Sequence, residues 1–355
     1  MTRHGIAGRS GYGVPRPRKS AASAAGAGQS IRGLARLSEP FVPQGLFSPR
    51  QSPGVVRRLP GEIREADTPR LDGSIPGAEH PNHDAMQEEP SPMPSSSLFD
   101  LSGKVAIVTG GSRGIGRAIC ERMAEHGAKV VVSSRKLDAC QAVVDAIKTK
   151  GGEAVAVACN IGRKEELQRL ADDTIGRWGG VDILVCNAAI NPHFGPAMTM
   201  PDEIFDKMMA TNVKSNLWLS HMCIPSMEQR GGGAIVIISS IGGYRGSVKL
   251  GAYAITKAAD LQLARNLAVE WGPKNIRVNC IAPGLIRTDF ARALWEDPVN
   301  YRKRTRDTPL QRIGEPDEIA GAAVFLASPA GSFTTGQSIV IDGGVLAGAP
   351  AVAEE

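Results

Sequence analysis

From Leu98 onward, continuous apolar runs alternate with segments whose apolar residues recur at helical spacing. The runs are KVAIVTG (104–110), KVVVSSR (129–135), EAVAVACN (153–160), DILVCNAA (182–189), AIVIISS (234–240), IRVNCIAPG (276–284) and SIVIDGG (338–344). They do not alternate polar with apolar, as a strand exposed on one face would. Strands covered by helices on both faces read this way, and parallel sheets are nearly always so covered. Between them, IGRAICERMAEHG (115–127) is a helix stopped by Gly127, and EELQRLADDTIGRWGG (165–180) is another. Asp138 and Gln141 read as a capping box for the helix after the second run. Repeated βα units of this kind predict an α/β fold: a doubly wound, seven-stranded parallel sheet in a single domain over residues 98–350. The stretch 284–312 has no sustained period and is long for a connection, which predicts a lid.

Composition changes this picture before residue 98. Of the first sixty residues, ten are Lys or Arg and one, Glu39, is acidic; acids accumulate later, at Asp84, Glu88 and Glu89. Gly, Pro, Ser and Ala dominate, so residues 1–97 are expected to be a disordered extension. Three readings of it stand: an organelle transit peptide, a basic arm for nucleic acid, or upstream sequence from a start codon set too early, with Met86 or Met93 as the start. The last is favoured, because Gly and Pro interrupt any long amphipathic helix. The net charge of +5 owes much to this segment. With no secretory signal and no apolar run of membrane-spanning length, a cytoplasmic protein is expected, or a mitochondrial one if the extension is a transit peptide. No nucleic-acid or membrane partner is expected. The six cysteines form no C-x-x-C pair and sit in apolar contexts, as buried thiols do in a reducing compartment. His80 and His83 are the close histidine pair, and no metal site is expected.

The first strand ends in TGGSRGIG (109–116), where Gly110, Gly114 and Gly116 allow a tight turn before a helix N-terminus. Exposed N–H groups and the helix dipole suit a pyrophosphate there. The spacing is G-x-x-x-G-x-G, and an ordinary βα turn is the plain alternative. Position at the first strand–helix unit favours a dinucleotide cradle. After the second strand come Ser133, Ser134, Arg135 and Lys136, without the acid that usually holds the ribose of NAD. Arg135 and Arg113 are placed to grip a 2′-phosphate, so NADP(H) is expected over NAD(H).

In GAYAITKAAD (251–260), Tyr253 and Lys257 stand four residues apart and share a helix face. A packed phenol beside a solvated amine is one reading. Their company favours another. Taken with TGGSRGIG, CNAA (186–189), Asn212, Ser240, YAITK (253–257), PGLIRT (283–288) and IDGG (341–344), the chain strongly resembles the short-chain dehydrogenase/reductase family over residues 98–345. CNAAINPHFGP and the stretch 275–298 look most like its NADPH-dependent carbonyl and retinal reductase branch. The peroxisomal ending of that branch does not carry over to AVAEE.

The resemblance implies a Rossmann-type oxidoreductase interconverting a ketone or aldehyde and an alcohol by hydride transfer. Tyr253 would be the acid/base. A free phenol ionises near a pKa of about 10, and a neighbouring cation lowers that value; Lys257 would be that cation and would also bind the nicotinamide ribose. Ser240 would bond the carbonyl oxygen, and Asn212 would hold a relay water. The implied cofactor contacts are Gly110, Ser112, Arg113, Gly114, Ile115 and Gly116 in the turn, and Ser134 and Arg135 after the second strand. Asn160 and Ile161 would flank adenine, Asn187 and Ala188 the ribose, and Pro283, Gly284, Ile286 and Thr288 the nicotinamide, together with Tyr253 and Lys257. Asn160 stands where the family often has Asp, and Ala189 where it has Gly. Substrate is expected at Ser240, at His193 and Phe194 of the 190–195 loop, and at Trp295 in the lid, with a solvent-facing loop histidine and a tryptophan packed against the body as the plain alternatives. A homotetramer is implied, joined through the helices flanking the fourth and fifth strands. The runner-up activity is 3-oxoacyl-carrier-protein reduction, for which Arg302, Lys303, Arg304 and Arg306 would dock an acidic carrier. A catalytically idle nucleotide-sensing scaffold is the alternative of another class.

Overall fold

The computed structural model describes residues 97–350. The expected disordered extension lies, but for Ser97, outside the described residues. Seven strands form: β1 (Val105–Thr109), β2 (Lys129–Ser134), β3 (Glu153–Ala158), β4 (Ile183–Cys186), β5 (Gly233–Ile238), β6 (Ile276–Pro283) and β7 (Ser338–Ile341). All pair in parallel, in the order β3-β2-β1-β4-β5-β6-β7. The order reverses between β1 and β4, and a crevice at such a switch point is where ligands bind in this architecture.

The helices are α1 (Gly114–Glu125), α2 (Leu137–Thr149), α3 (Lys164–Trp178), α4 (Asp202–Met209), α5 (Ser215–Gln229), α6 (Gly251–Trp271), α7 (Arg292–Trp295), α8 (Pro298–Arg306) and α9 (Pro316–Ala327). Ala106, Val108, Val130, Val132 and Val185 pack with α1, α2 and α9. Their immediate neighbours Ile107, Val131 and Leu184 pack with α3, α5 and α6 on the other side. Successive strand residues face opposite layers, so both positions must be apolar. All six cysteines are buried and unbridged.

Three expectations need correction. Asp138 and Gln141 make no capping box: α2 starts at Leu137 after Lys136 with no side-chain cap, and Gln141 bonds Asp145 instead, at 2.7 Å. Asp138 lies inside the first turn, where its charge favours the helix dipole but its oxygen cannot cap. The apolar runs 182–189 and 234–240 overshoot: β4 stops at Cys186 and β5 at Ile238, and the remaining residues leave the sheet as loops. The stretch 284–312 is not irregular but carries a 3₁₀ turn (Asp289–Ala291), α7 and α8, none with a buried residue. Caps rather than packing define these pieces: Thr288 caps the turn, and Asp297 accepts from Asn300 N at 2.8 Å ahead of Pro298. Gly127 does stop α1, with φ +95° and its N–H on the Ala124 carbonyl. Among the described residues, no helix is long and apolar enough to cross a membrane.

Candidate active site

The ends of β1 and β4 are locked together. Thr109 Oγ1 donates to the Val185 carbonyl and accepts from the N–H groups of Asn187 and Ala188, while Asn187 Nδ2 donates to the carbonyls of Thr109 and Gly110. This clamp explains two glycines. A Cβ on Gly116 would lie 2.3 Å from the Gly110 oxygen and 2.5 Å from Asn187 Nδ2, and one on Gly110 would lie 2.7 Å from the same amide. Gly114 has φ +54° and faces Thr288 across the crevice. Ser112 and Ile115 are half-buried at the turn, and α1 begins with no side chain capping its first N–H groups. A bare helix start behind a glycine turn, with no Cβ in the way, fits a pyrophosphate.

At the neighbouring strand ends, Arg135 is exposed and its guanidinium has no bonding partner among the described residues. Arg113 is also exposed and lies 3.9 Å from Asp289 of the 284–312 segment. Ser134 touches the Cys140 sulfur at 3.0 Å, and the buried Ser133 hydroxyl has no partner among the described residues. Asn160 Oδ1 accepts from Gly162 N at 3.1 Å, so the acceptor expected for adenine already holds one hydrogen bond. Ile161 packs on the adjoining core.

The catalytic candidates gather where β5 meets α6. Ser240 caps a 3₁₀ turn, its Oγ accepting from Gly242 N at 3.0 Å. Ser239 Oγ donates to the Lys257 carbonyl at 2.8 Å, and a Cβ on Gly243 would press on that backbone at 2.9 Å. These contacts hold Ser240 beside the first two turns of α6. Lys257 is buried; its Nζ lies 5.7 Å from the Tyr253 ring centroid and donates to the Ile238 carbonyl and to Asp260 Oδ2, both at 2.9 Å. Asn212 lies on a π-helical turn (Ala210–Lys214) between α4 and α5, an irregularity common at functional sites. Its amide is fully engaged: Oδ1 accepts from Ile190 N, and Nδ2 donates to the Ile190 carbonyl and Thr256 Oγ1. It thereby ties the loop after β4 to α6.

The half-buried Tyr253 phenol ionises above its ordinary value. Desolvation is the main cause; Lys257 pulls down as expected, and Asp260 pushes up. Burial pulls Lys257 down, but Asp260, Tyr253 and the hydrogen bond hold its value up, so the amine stays charged. Asp260 was not among the candidates singled out from the sequence. The signal was present as an acid at i+3 from a lysine on an apolar helix face.

On the substrate side, the 190–195 loop is tied to the segment ahead of α6 by a bridge between Gly195 and Leu250. His193 turns back to Thr199 and Pro196, and Phe194 carries Lys249 over its ring at 5.8 Å. Trp295 bonds the Thr288 carbonyl at 3.2 Å and stacks under Arg287, so it packs within its own 284–312 segment. Phe290, missed in the sequence, sits over the site with its ring centroid 6.3 Å from that of Tyr253. Pro283 ends β6, a Cβ on Gly284 would meet Asp342 at 2.7 Å, and Ile286 is buried and paired with Gly314.

A family model described as enoyl-(acyl carrier protein) reductase matches residues 110–346. The cattle (Bos taurus) protein "Dehydrogenase/reductase SDR family member 4" is 45% identical over 246 residues, 69% of this chain and 88% of that one. The human (Homo sapiens) "Dehydrogenase/reductase SDR family member 2, mitochondrial" is 40% identical over 68% of this chain and 86% of its own. Among solved structures, a 7α-hydroxysteroid dehydrogenase complexed with NADH and 7-oxo-glycochenodeoxycholic acid superposes with a TM-score of 0.68. It is 43% identical, covering 71% of this chain and 98% of that one.

Proposed function

The chain belongs to the short-chain dehydrogenase/reductase family of oxidoreductases, and from that premise we propose that it interconverts an apolar ketone or aldehyde and the matching alcohol with NADP(H), using Tyr253 as acid and base. The observation that carries this reading is the Tyr253 ring lying near both a buried, charged Lys257, at 5.7 Å, and the apolar ring of Phe290, at 6.3 Å.

The dinucleotide, held by the glycine turn, would supply the hydride for reduction or accept it in oxidation. As the carbonyl oxygen gains charge, Tyr253 gives it a proton. Ser240 Oγ already accepts from Gly242 N, which leaves its own hydrogen for that oxygen. Lys257 presents its charge to the phenol and to the ribose. Asn212 acts through the Ile190 backbone, fixing the loop that closes the site. With this set complete, an idle nucleotide-sensing scaffold is disfavoured.

Phe194, Met198, Tyr244, Val248 and Phe290 are exposed large apolar side chains on the loops following β4, β5 and β6. They favour an apolar substrate. The test is a panel of small ketones, bulky apolar ketones, 3-oxoacyl-carrier thioesters and enoyl thioesters, each with NADPH and NADH. Bulky apolar ketones should give the highest kcat/KM. Phe290→Ala should raise their KM about tenfold, the worth of one buried aromatic contact, with little effect on small ketones. Faster turnover of carrier thioesters would favour the second reading, supported by the exposed Arg302, Lys303, Arg304 and Arg306 on α8.

For the cofactor, Arg135 is the residue on which NADP(H) preference rests. Charge-assisted hydrogen bonds contribute about 1.5–3 kcal/mol. Arg135→Asp should therefore weaken NADPH about ten- to a hundredfold in a fluorescence titration and spare NADH. Wild-type preference for NADH, the cofactor of the hydroxysteroid dehydrogenase structure, would overturn this assignment. The assembly is read as a homotetramer, checked by light scattering. The compartment is read as the cytoplasm, with the mitochondrion as the alternative that the human relative's name favours; fractionation of native protein separates the two.

A further inference from the structure

Behind the Tyr253–Lys257 pair lies a carboxylate that the acid/base reading does not use. Asp260 is wholly inaccessible to solvent, at 0% exposure, and burial raises its carboxyl above the ordinary value, with Lys257 and Asn216 pulling it back down. Oδ2 takes the Lys257 ammonium at 2.9 Å, and Oδ1 takes Asn216 Nδ2 at 3.0 Å. Asn216 is fixed in turn: the same Nδ2 donates to the Asn212 carbonyl at 2.7 Å, at the π-helical turn. One chain of hydrogen bonds thus runs from the loop-fixing Asn212 through Asn216 and Asp260 to Lys257.

The other titratable groups facing Asp260 are thiols. Cys186 on β4 is held well above its ordinary value by burial, and Cys280 on β6, whose Sγ donates to the Asp260 carbonyl at 3.4 Å, is pushed up to about 12. Both remain neutral near pH 7, and Arg265 bears on Cys280 alone. Among the described residues Lys257 is therefore the one charge directly paired with Asp260, and Tyr253 feels both members of the pair.

The geometry points to Asp260 as a positioning residue that anchors Lys257 and offsets its field at Tyr253, so that the phenol keeps its proton through neutral pH and is set to donate in carbonyl reduction. A bare cation one turn away would bring the phenol toward ionisation. An ion pair, with its negative end buried in the same helix, does so far less.

This rests on Tyr253 being the acid/base, and the test separates the two ideas. Asp260→Asn keeps the side-chain shape and removes the charge. The Ile238 carbonyl, which accepts from Nζ at 2.9 Å, stays as a partner for the Lys257 ammonium in the variant. The acid limb of the pH profile for alcohol oxidation should move down by about one pH unit, and the alkaline limb for reduction by the same amount. A purely structural role would lower both profiles without moving them; that result would overturn the assignment. If Asp260→Asn does not fold, tyrosinate absorbance of Lys257→Met is compared with that of the Lys257→Met, Asp260→Asn double variant. A Tyr253 midpoint that drops when Asp260 is neutralised supports the proposal, and an unchanged one overturns it. Should Tyr253→Phe retain turnover, the acid/base reading itself falls, whatever the Asp260 variant does.

Discussion

Tyr253→Phe should lower turnover in both directions by at least about 10²–10⁴-fold, the usual contribution of a positioned acid or base. The substitution keeps the ring and removes one hydroxyl. Nothing in the fold depends on that hydroxyl: the backbone carbonyl of Tyr253, not its phenol, accepts the Thr256 hydroxyl at 2.8 Å. The ring contact with Phe290 survives as well. The Tm should therefore stay within about a degree, and NADPH affinity should change little, because the glycine turn and Arg135 are the proposed holders of the far end of the dinucleotide. Stopped-flow hydride transfer measures the first effect and fluorescence titration the second. Turnover near the wild-type rate would return Tyr253 and Lys257 to a packed phenol beside an amine, and would leave the ketone reductase reading without a mechanism.

The parts of the fold legible in the sequence were those that packing dictates. Seven strands announced themselves because Ile107 and its neighbours Ala106 and Val108 face opposite helical layers, leaving no polar position in the run. The glycine turn was legible because close backbone approach tolerates no side chain, as the space around Gly116 bears out. Local chemistry was harder to read. Asp138 has the composition of a cap, but helix start is fixed by backbone geometry two residues earlier, at Lys136. α7 and α8 carry no apolar stripe because no residue in them is fully buried, so periodicity was silent there. The π turn at Asn212 has no compositional signature. Phe290 is 37 residues from Tyr253 in sequence, and only the fold brings their rings together. Asp260 was in plain view beside Lys257, yet whether such an acid points to solvent or inward depends on α5, whose Asn216 completes its partners.

Lys257→Met should damage the protein in two separable ways, because it removes a cation from the site and also one half of a buried ion pair. Turnover should fall and NADPH binding weaken, since the amine serves both the phenol and the ribose. Stability should fall too. Removing one partner of a buried pair typically costs about 3–5 kcal/mol. For a domain of this size, that corresponds to a Tm lower by on the order of 10 °C. The loss has a definite pH dependence. In the variant, Asp260 is desolvated with no cation opposite, so its folded-state pKa lies above the unfolded value of about 3.9. The folded state then binds a proton more readily than the unfolded one, and stability declines as pH rises from about 4 through the folded pKa. Calorimetry at pH 5 and pH 8 should show the larger deficit at pH 8. Adding Asp260→Asn removes the stranded charge, so the double variant should regain most of the Tm while staying catalytically impaired. Recovery of stability without activity would separate the role of Lys257 in the fold from its role in the chemistry. A double variant no more stable than Lys257→Met would mean that the two residues do not form the coupled pair described by their 2.9 Å contact.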